Sequence, residues 1–298
     1  MKISLNWLSD YIEVSRIDQN ELLHHLTDIG LEVGGTEKWE SVAGGMEGIV
    51  IGKVTECEQH PNADKLKVTK VDVGRDDLLP IVCGAPNVAE GQTVVVATVG
   101  TKLTMGGESF VIKKAKLRGE PSHGMICAED EIGLGASHDG IMVLPNDIEI
   151  GTPAAEYFDI ERDLSIEIDL TPNRIDAASH LGVARDLAAR LSFEGTPSDV
   201  KLPDVSAFKA DNTSLIIPVQ INNPEACKRY TSCTVSDIEV KPSPQWLQNR
   251  LKAIGLNPIN NIVDITNFVL HETGHPLHAF DADKINGNKV IVEKRNAG

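Results

Sequence analysis

The sequence predicts a multidomain α+β chain: a five-stranded β-barrel inserted in a small split helical domain, followed by a further α+β unit. Three observations predict it. A helical pattern at 18–29 returns only at 177–192, the stretch between them reads as short strand-like runs, and a Pro-, Ser- and Asp-rich segment at 194–213 precedes a second mixture of strands and helices. The 298 residues suit two or three domains. The expected boundaries are 1–40 plus 148–195 for the split helical domain, 41–147 for the barrel, 196–213 for a linker and 214–298 for the last unit.

Each element has its own signal. At 18–29, Asp18 is placed to cap a helix and Glu21 to complete a capping box. Leu22, Leu23, Leu26 and Ile29 form its apolar stripe, and Gly30 ends it. The barrel runs are 48–57, 66–73, 78–83, 93–98 and 110–118, with Gly, Pro, Asn or Asp between them. Five short strands at this spacing suggest an OB-fold, the five-stranded barrel that binds oligonucleotides. The helix at 177–192 runs through Ala178, Leu181, Ala184, Leu187, Ala188 and Leu191. Beyond the linker, strands are expected at 215–221 and 229–240, helices at 244–254 and 261–273, and a strand-like run at 289–294. No closing element follows that run, so the chain is expected to be cut short at Gly298.

Composition narrows the class. Apolar residues at 41% and charged residues at 24% are ordinary for a globular protein. Aromatics are only 4%, so the cores must rest on Ile, Val, Leu and Ala. The amino terminus shows no secretory leader, and no segment approaches the roughly 18 apolar residues of a membrane span, so a cytoplasmic location and no membrane partner are expected. Five scattered cysteines without a C-x-x-C pair read as reduced, mostly buried thiols. The net charge of −16 argues against nucleic acid, but it is uneven. Residues 1–50 carry 3 basic and 9 acidic side chains, 51–128 carry 10 and 9, and 129–298 carry 15 and 26. Lys102, Lys113, Lys114, Lys116 and Arg118 cluster in the middle stretch, either as a solvated strand edge or as a polyanion contact.

The middle region also carries four specific blocks. They are His60-Pro61-Asn62-Ala63-Asp64-Lys65-Leu66, Lys67-Val68-Thr69-Lys70-Val71-Asp72-Val73-Gly74, Ile81-Val82-Cys83-Gly84-Ala85-Pro86-Asn87-Val88, and Lys116-Leu117-Arg118-Gly119-Glu120-Pro121-Ser122-His123-Gly124-Met125-Ile126-Cys127. In this order they resemble the tRNA-binding OB domain of bacterial phenylalanyl-tRNA synthetase β subunits and of tRNA-binding cofactors appended to other synthetases. The resemblance implies tRNA contact through His60, Asn62, Lys65, Lys67, Lys113, Lys114, Lys116 and Arg118. His60 and Asn62 suit phosphate or base edges, and Lys65 and Arg118 supply charge. Taken singly, Asn62 and Asp64 also suit a turn, His60 a strand end and Lys65 a solvated surface.

The flanks select the β subunit among these relatives. Met1-Lys2-Ile3-Ser4, Trp7-Leu8-Ser9-Asp10-Tyr11 and Thr171-Pro172-Asn173-Arg174-Ile175-Asp176 are similar to that family's own split domain. Arg174 and Arg185 suit RNA contact there, and equally ion pairs with Asp169, Asp176 and Asp186. Asn260-Asn261-Ile262-Val263-Asp264-Ile265-Thr266-Asn267-Phe268-Val269 and Pro276-Leu277-His278-Ala279-Phe280-Asp281 resemble the start of the family's editing domain, an α+β domain truncated here.

By resemblance, Thr266, Asn267, Pro276 and His278 belong to a pocket that hydrolyses mischarged Tyr-tRNA(Phe). His278 would orient water or the terminal ribose; its other reading is a histidine packed beside Phe280. His275 stands where many relatives carry Gln. No catalytic residue for aminoacylation is expected in this chain. The resemblance assigns that ATP- and magnesium-dependent ligation to a separate α subunit in an α2β2 tetramer with tRNA(Phe), and no cofactor to these residues. The alternative is a free-standing tRNA-binding or chaperone-like module. A third pattern, His271-Glu272-Thr273-Gly274-His275, fits the H-E-x-x-H zinc motif, but Gly274 and Pro276 are expected to end the helix at the second histidine. No metal site is expected.

Overall fold

The computed structural model describes residues 1–105 and 108–295, so the chain end at Gly298 lies outside them. The chain divides into two compact units. A barrel unit spans Lys38–Asp163, and a split unit combines Met1–Glu37 with Leu164–Gly298.

The split unit begins with β1 (Lys2–Ser4), α1 (Leu5–Ser9), α2 (Gln19–Asp28) and β2 (Glu32–Glu40). Ser4 caps α1 by accepting from the Trp7 amide. Asp18 caps α2 through the amides of Asn20 and Glu21, and Gly30 follows it in the left-handed region at φ +81°. Leu22 and Leu26 are buried, as the apolar stripe requires. The Glu21 carboxylate lies 3.6 Å from His25, so it serves an i,i+4 pair.

The barrel unit holds β3 (Ile49–Gln59), β4 (Lys67–Asp72), β5 (Leu79–Cys83), β6 (Thr93–Thr98), β7 (Lys102–Met105) and β8 (Glu108–Val111). It continues with β9 (Ala115–Leu117), β10 (Glu120–Ser122), β11 (Gly124–Ile126), β12 (Val143–Leu144) and α3 (Ala154–Tyr157). An antiparallel sheet runs in the order β11-β6-β3-β4-β5, with β12 also beside β6. Its two edges nearly meet. The His123 amide donates to Pro80 O at 2.7 Å and the Val82 amide to Ser122 Oγ at 3.1 Å, giving a nearly closed barrel-like sheet. Strand β6 shows no polar alternation because both its faces are buried. Val94 and Val96 join Val54, Val71 and Ile81, while Val95 and Ala97 join Ile49, Ile51 and Leu103.

One barrel expectation is corrected. Residues 110–118 do not form a single strand. Ile112 is buried and bonded through its backbone to Gly100 and Thr101, and the chain then starts a separate hairpin, β9–β10. The fifth strand of the barrel path is instead β11, whose three residues are too few to show a period.

The chain then returns through β13 (Arg162–Asp169), α4 (His180–Phe193), β14 (Val219–Ile221), α5 (Gln245–Ala253), α6 (Asn261–Thr273) and β15 (Val290–Val292). Strand β13 lies between β1 and β2, with Lys2 opposite Glu167 and Ser4 opposite Ser165. The split domain is therefore not purely helical. Leu164, Ile166 and Ile168 alternate into its core, a period-2 signal that was present in the sequence. Helix α4 starts at His180 because Ser179 caps it by accepting from the Gly182 amide, after a 3-10 turn at Ile175–Ala177. Ile3, Trp7, Leu22, Ile166 and Leu187 form one core, to which Ile254 and Phe268 also belong, so α5 and α6 pack on the split domain.

Other expectations change beyond the linker. No regular element forms at 196–213, although the Lys201 amide is tied to Tyr11 O at 2.8 Å. The 215–221 run shortens to β14, which pairs in parallel with β15. The 229–240 run carries no strand, and Val235, Ile238 and Val240 are exposed. A strand needs a partner strand for its N–H and C=O groups, and none pairs with this segment among the described residues. Of the five free cysteines only Cys83 and Cys127 are buried, with burial pushing the Cys127 thiol up to about 12. Among the described residues, no helix is long and apolar enough to cross a membrane.

Candidate functional site

Two groups of residues carry chemistry, one in each unit. In the barrel unit, β9 and β10 pair antiparallel with Leu117 opposite Glu120, leaving Arg118 and Gly119 as a two-residue turn. Both turn residues have positive φ, +50° and +104°, the requirement of a type I′ turn. Gly119 meets that requirement without strain, and Arg118 is carried at the tip. Lys113, Lys114, Lys116 and Arg118 are all exposed.

The loop between β3 and β4 is pinned to this hairpin. The His60 ring accepts from the Asn62 amide at Nδ1 (3.0 Å), which leaves the proton on Nε2 to donate to Leu117 O at 3.0 Å. Asn62 Nδ2 donates to Arg118 O at 3.4 Å. Gln59 Nε2 reaches the carbonyls of Ala63, Asp64 and Leu66 at 3.0–3.1 Å and closes the loop from within. His60 is buried, so it holds loop and hairpin together and does not face a ligand. Lys67 is likewise engaged, its Nζ donating to Val88 O at 2.5 Å. Lys65 is exposed. Among its described residues, the barrel unit's ion pairs join Lys70 to Glu56, His138 to Asp130 and Arg162 to Glu40, and leave out Lys65, Lys113, Lys114, Lys116 and Arg118. Among the described residues, the surface therefore presents to a partner five exposed cations outside any ion pair: Lys65 on the pinned loop, Lys113 and Lys114 just before the hairpin, and Lys116 and Arg118 on it. Sequence reasoning missed Gln59, and a lone glutamine offers no signal for such a role.

In the split unit, Asn260 caps α6 by accepting from the amides of Ile262 and Val263. Buried Asp264 accepts from Ser243 Oγ at 2.5 Å and from the Ile259 amide at 2.8 Å, tying the helix to the segment before α5. Thr266 and Asn267 are half-buried on this helix, and Thr266 Oγ1 donates to Val263 O at 2.7 Å. Pro276 and His278 lie in the exposed stretch after it, with the His278 ring 6.3 Å from Phe280. Among the described residues no hydrogen bond joins the helical pair to the exposed pair.

The H-E-x-x-H pattern is broken by the helix end. Gly274 adopts φ +78°, α6 stops at Thr273, and Glu272 accepts from the Tyr11 hydroxyl at 2.6 Å. The Arg174 guanidinium is also taken, by Asp176, Asp186 and Ile29 O, while Arg185 is exposed. Of the two readings of Arg174, the ion pair is the one present.

Comparison with known proteins follows the same division. Residues 49–153 match the family model described as a putative tRNA binding domain, and residues 226–298 match the one described as a B3/4 domain. The chain is 56% identical over 98% of its length to the phenylalanine–tRNA ligase β subunit of Porphyromonas gingivalis, covering 36% of that protein. It is 54% identical over 100% of its length to that of Bacteroides fragilis, covering 36%. To that of Chlorobaculum tepidum it is 46% identical over 98%, covering 34%. The chain thus spans about a third of the length of these curated relatives.

Proposed function

Because this chain belongs to the phenylalanine–tRNA ligase β-subunit family, we propose that it supplies that enzyme's tRNA-contacting barrel and part of a site that hydrolyses mischarged Tyr-tRNA(Phe). The observation that carries the reading is high identity over essentially the whole chain, flanks as well as barrel. That extent speaks against a free-standing tRNA-binding module. The barrel is read as an OB-fold, with Lys65, Lys113, Lys114, Lys116 and Arg118 as phosphate contacts and His60, Asn62 and Lys67 as the scaffold behind them. ATP- and magnesium-dependent ligation of phenylalanine belongs to a partner α subunit in an α2β2 enzyme working in the cytoplasm.

The need for hydrolysis follows from the substrates. A pocket shaped for phenylalanine gains only about 10²-fold against a rival that adds a hydroxyl, by analogy with comparable synthetase sites. Hydrolysis after charging removes what escapes. Water adds to the ester carbonyl, the acyl C–O bond to the ribose breaks, the ribose oxygen takes a proton, and tyrosine leaves as its carboxylate. The groups assigned here are positional: Thr266 and Asn267 on a rigid helix, with His278 after the Pro276 turn orienting the water or the ribose.

The test is Tyr-tRNA(Phe) deacylation by the full αβ enzyme and by this chain alone. The full enzyme is expected to deacylate and the chain alone neither to deacylate nor to charge. His278→Ala in the full enzyme is expected to lower deacylation while leaving phenylalanine charging nearly intact. Loss of charging instead would make His278 structural.

A further inference from the structure

The helix that bears Thr266 and Asn267 is held on its other side by residues far away in sequence. The Trp7 ring is stacked between two partners, the His180 ring at 4.0 Å and the Phe268 ring at 4.5 Å, the latter one residue past Asn267. Trp7 Nε1–H donates to the Tyr11 hydroxyl at 2.9 Å, and that hydroxyl donates onward to Glu272 at 2.6 Å. His180 completes the arrangement. Its Nε2 accepts from the Ser4 amide at 3.1 Å, so Nδ1 carries the proton and donates to His271 O at 2.8 Å. His271 O lies in the last turn of α6, where carbonyls have no partner within the helix. A buried imidazole from another part of the chain therefore caps this helix.

We propose that Trp7, Tyr11 and His180 are positioning residues for ester hydrolysis: they fix the rotation and axial position of α6, and so the placement of Thr266 and Asn267 against the ester. The proposal rests on the assignment of Thr266 and Asn267 to the hydrolytic site. A ring stack fixes the helix laterally but permits rotation and sliding, whereas a hydrogen bond at Glu272 and another at His271 O stop both. Displacements of about 1 Å in a positioned site cost up to roughly 10²-fold in rate, so small losses of anchoring should be visible in turnover.

The experiment uses the full αβ enzyme carrying Tyr11→Phe, which keeps the ring and removes only the hydroxyl. Tyr-tRNA(Phe) deacylation is expected to fall roughly ten-fold in kcat with KM little changed, because orientation and not binding is lost. Phenylalanine charging is expected to stay at its original rate, which a general folding defect would not allow. Backbone hydrogen exchange across 261–273 is expected to speed up in the same variant. Unchanged exchange overturns the anchor. Faster exchange with unchanged deacylation overturns the positioning role, and points to a failed assignment of Thr266 and Asn267 if Thr266→Ala and Asn267→Ala are also silent. Equal falls in charging and deacylation overturn the proposal as well, since they report a structural loss. His180→Gln, which retains an amide donor for His271 O, is expected to keep more activity than His180→Ala.

Discussion

In the barrel unit, among the described residues, the paired strands all come from one stretch, β3 to β12: β3 lies against β4 and β6, β4 against β5, and β9 against β10. In the split unit, Ile3 lies opposite Ile166, and Trp7 stacks on Phe268. The barrel is thus built largely from one continuous stretch, whereas the split unit exists only once both ends of the chain have met. Such distant contacts carry a larger loop-closure cost before they contribute. The two candidate sites inherit the difference. The cationic hairpin is held by hydrogen bonds from His60 and Asn62 of the same continuous stretch, while α6 depends on Trp7, Tyr11 and His180.

The largest expected effect tests whether the units are separable. Trp7 is fully buried and stacked on both faces, so Trp7→Ala is expected to cost about 3–5 kcal/mol, most of a small unit's stability. Trp39 belongs to the barrel unit and Trp246 to the split unit, so each reports its own unit in urea unfolding followed by fluorescence of single-tryptophan variants that carry either Phe or Ala at position 7. The Trp246 transition is expected to move to lower urea while that of Trp39 stays. A common shift of both would break the comparison.

A smaller effect is set by pH. Burial holds the His180 imidazole at about 3, below its ordinary value near 6.5, so the folded state keeps it neutral. Between those values the unfolded chain binds the extra proton. Stability is therefore full above about 6.5 and falls as pH drops, by up to ~1.4 kcal/mol per pH unit from this group. Urea titrations of the split unit between pH 6.5 and 5 are expected to show this slope, and His180→Gln to flatten it. In the barrel unit the Asp130 carboxylate raises the His138 pKa, a contribution of the opposite sign that is kept as pH falls, so that unit is expected to change less in that window.

The smallest effect on stability belongs to the cations. Lys65→Ala with Arg118→Ala is expected to change barrel stability by less than about 0.5 kcal/mol, since both side chains are exposed. The same pair is expected to weaken tRNA binding, and to reduce the slope of log affinity against log salt by about 1–2. Binding that is tight and indifferent to salt, or unaltered by the double change, would remove the barrel surface from the proposed function.

Local patterns were legible because their causes are local. Asp18 and Gly274 marked helix ends by side-chain capping or left-handed backbone, and the helix expected at about 261–273 forms there. Strands β3 to β6 showed in β-branched runs between turn residues, and the four sequence blocks marked the loop and hairpin that the structure joins. The 229–240 run misled because its apolar residues have no neighbouring strand to pair with among the described residues. Roles depending on distant partners were not legible. His60 and Lys67 look like RNA ligands until their rings and amines are seen bonded to Leu117 O and Val88 O. The sequence by itself determined several helix ends, strands β3 to β6 and the cation-rich run at 113–118, since each arises from residues within a few positions of one another. Only the tertiary structure decided which cations are left for a ligand, and that the histidine of α4 caps α6. Those outcomes depend on which buried polar groups meet, and a buried donor or acceptor finds its partner by proximity in space.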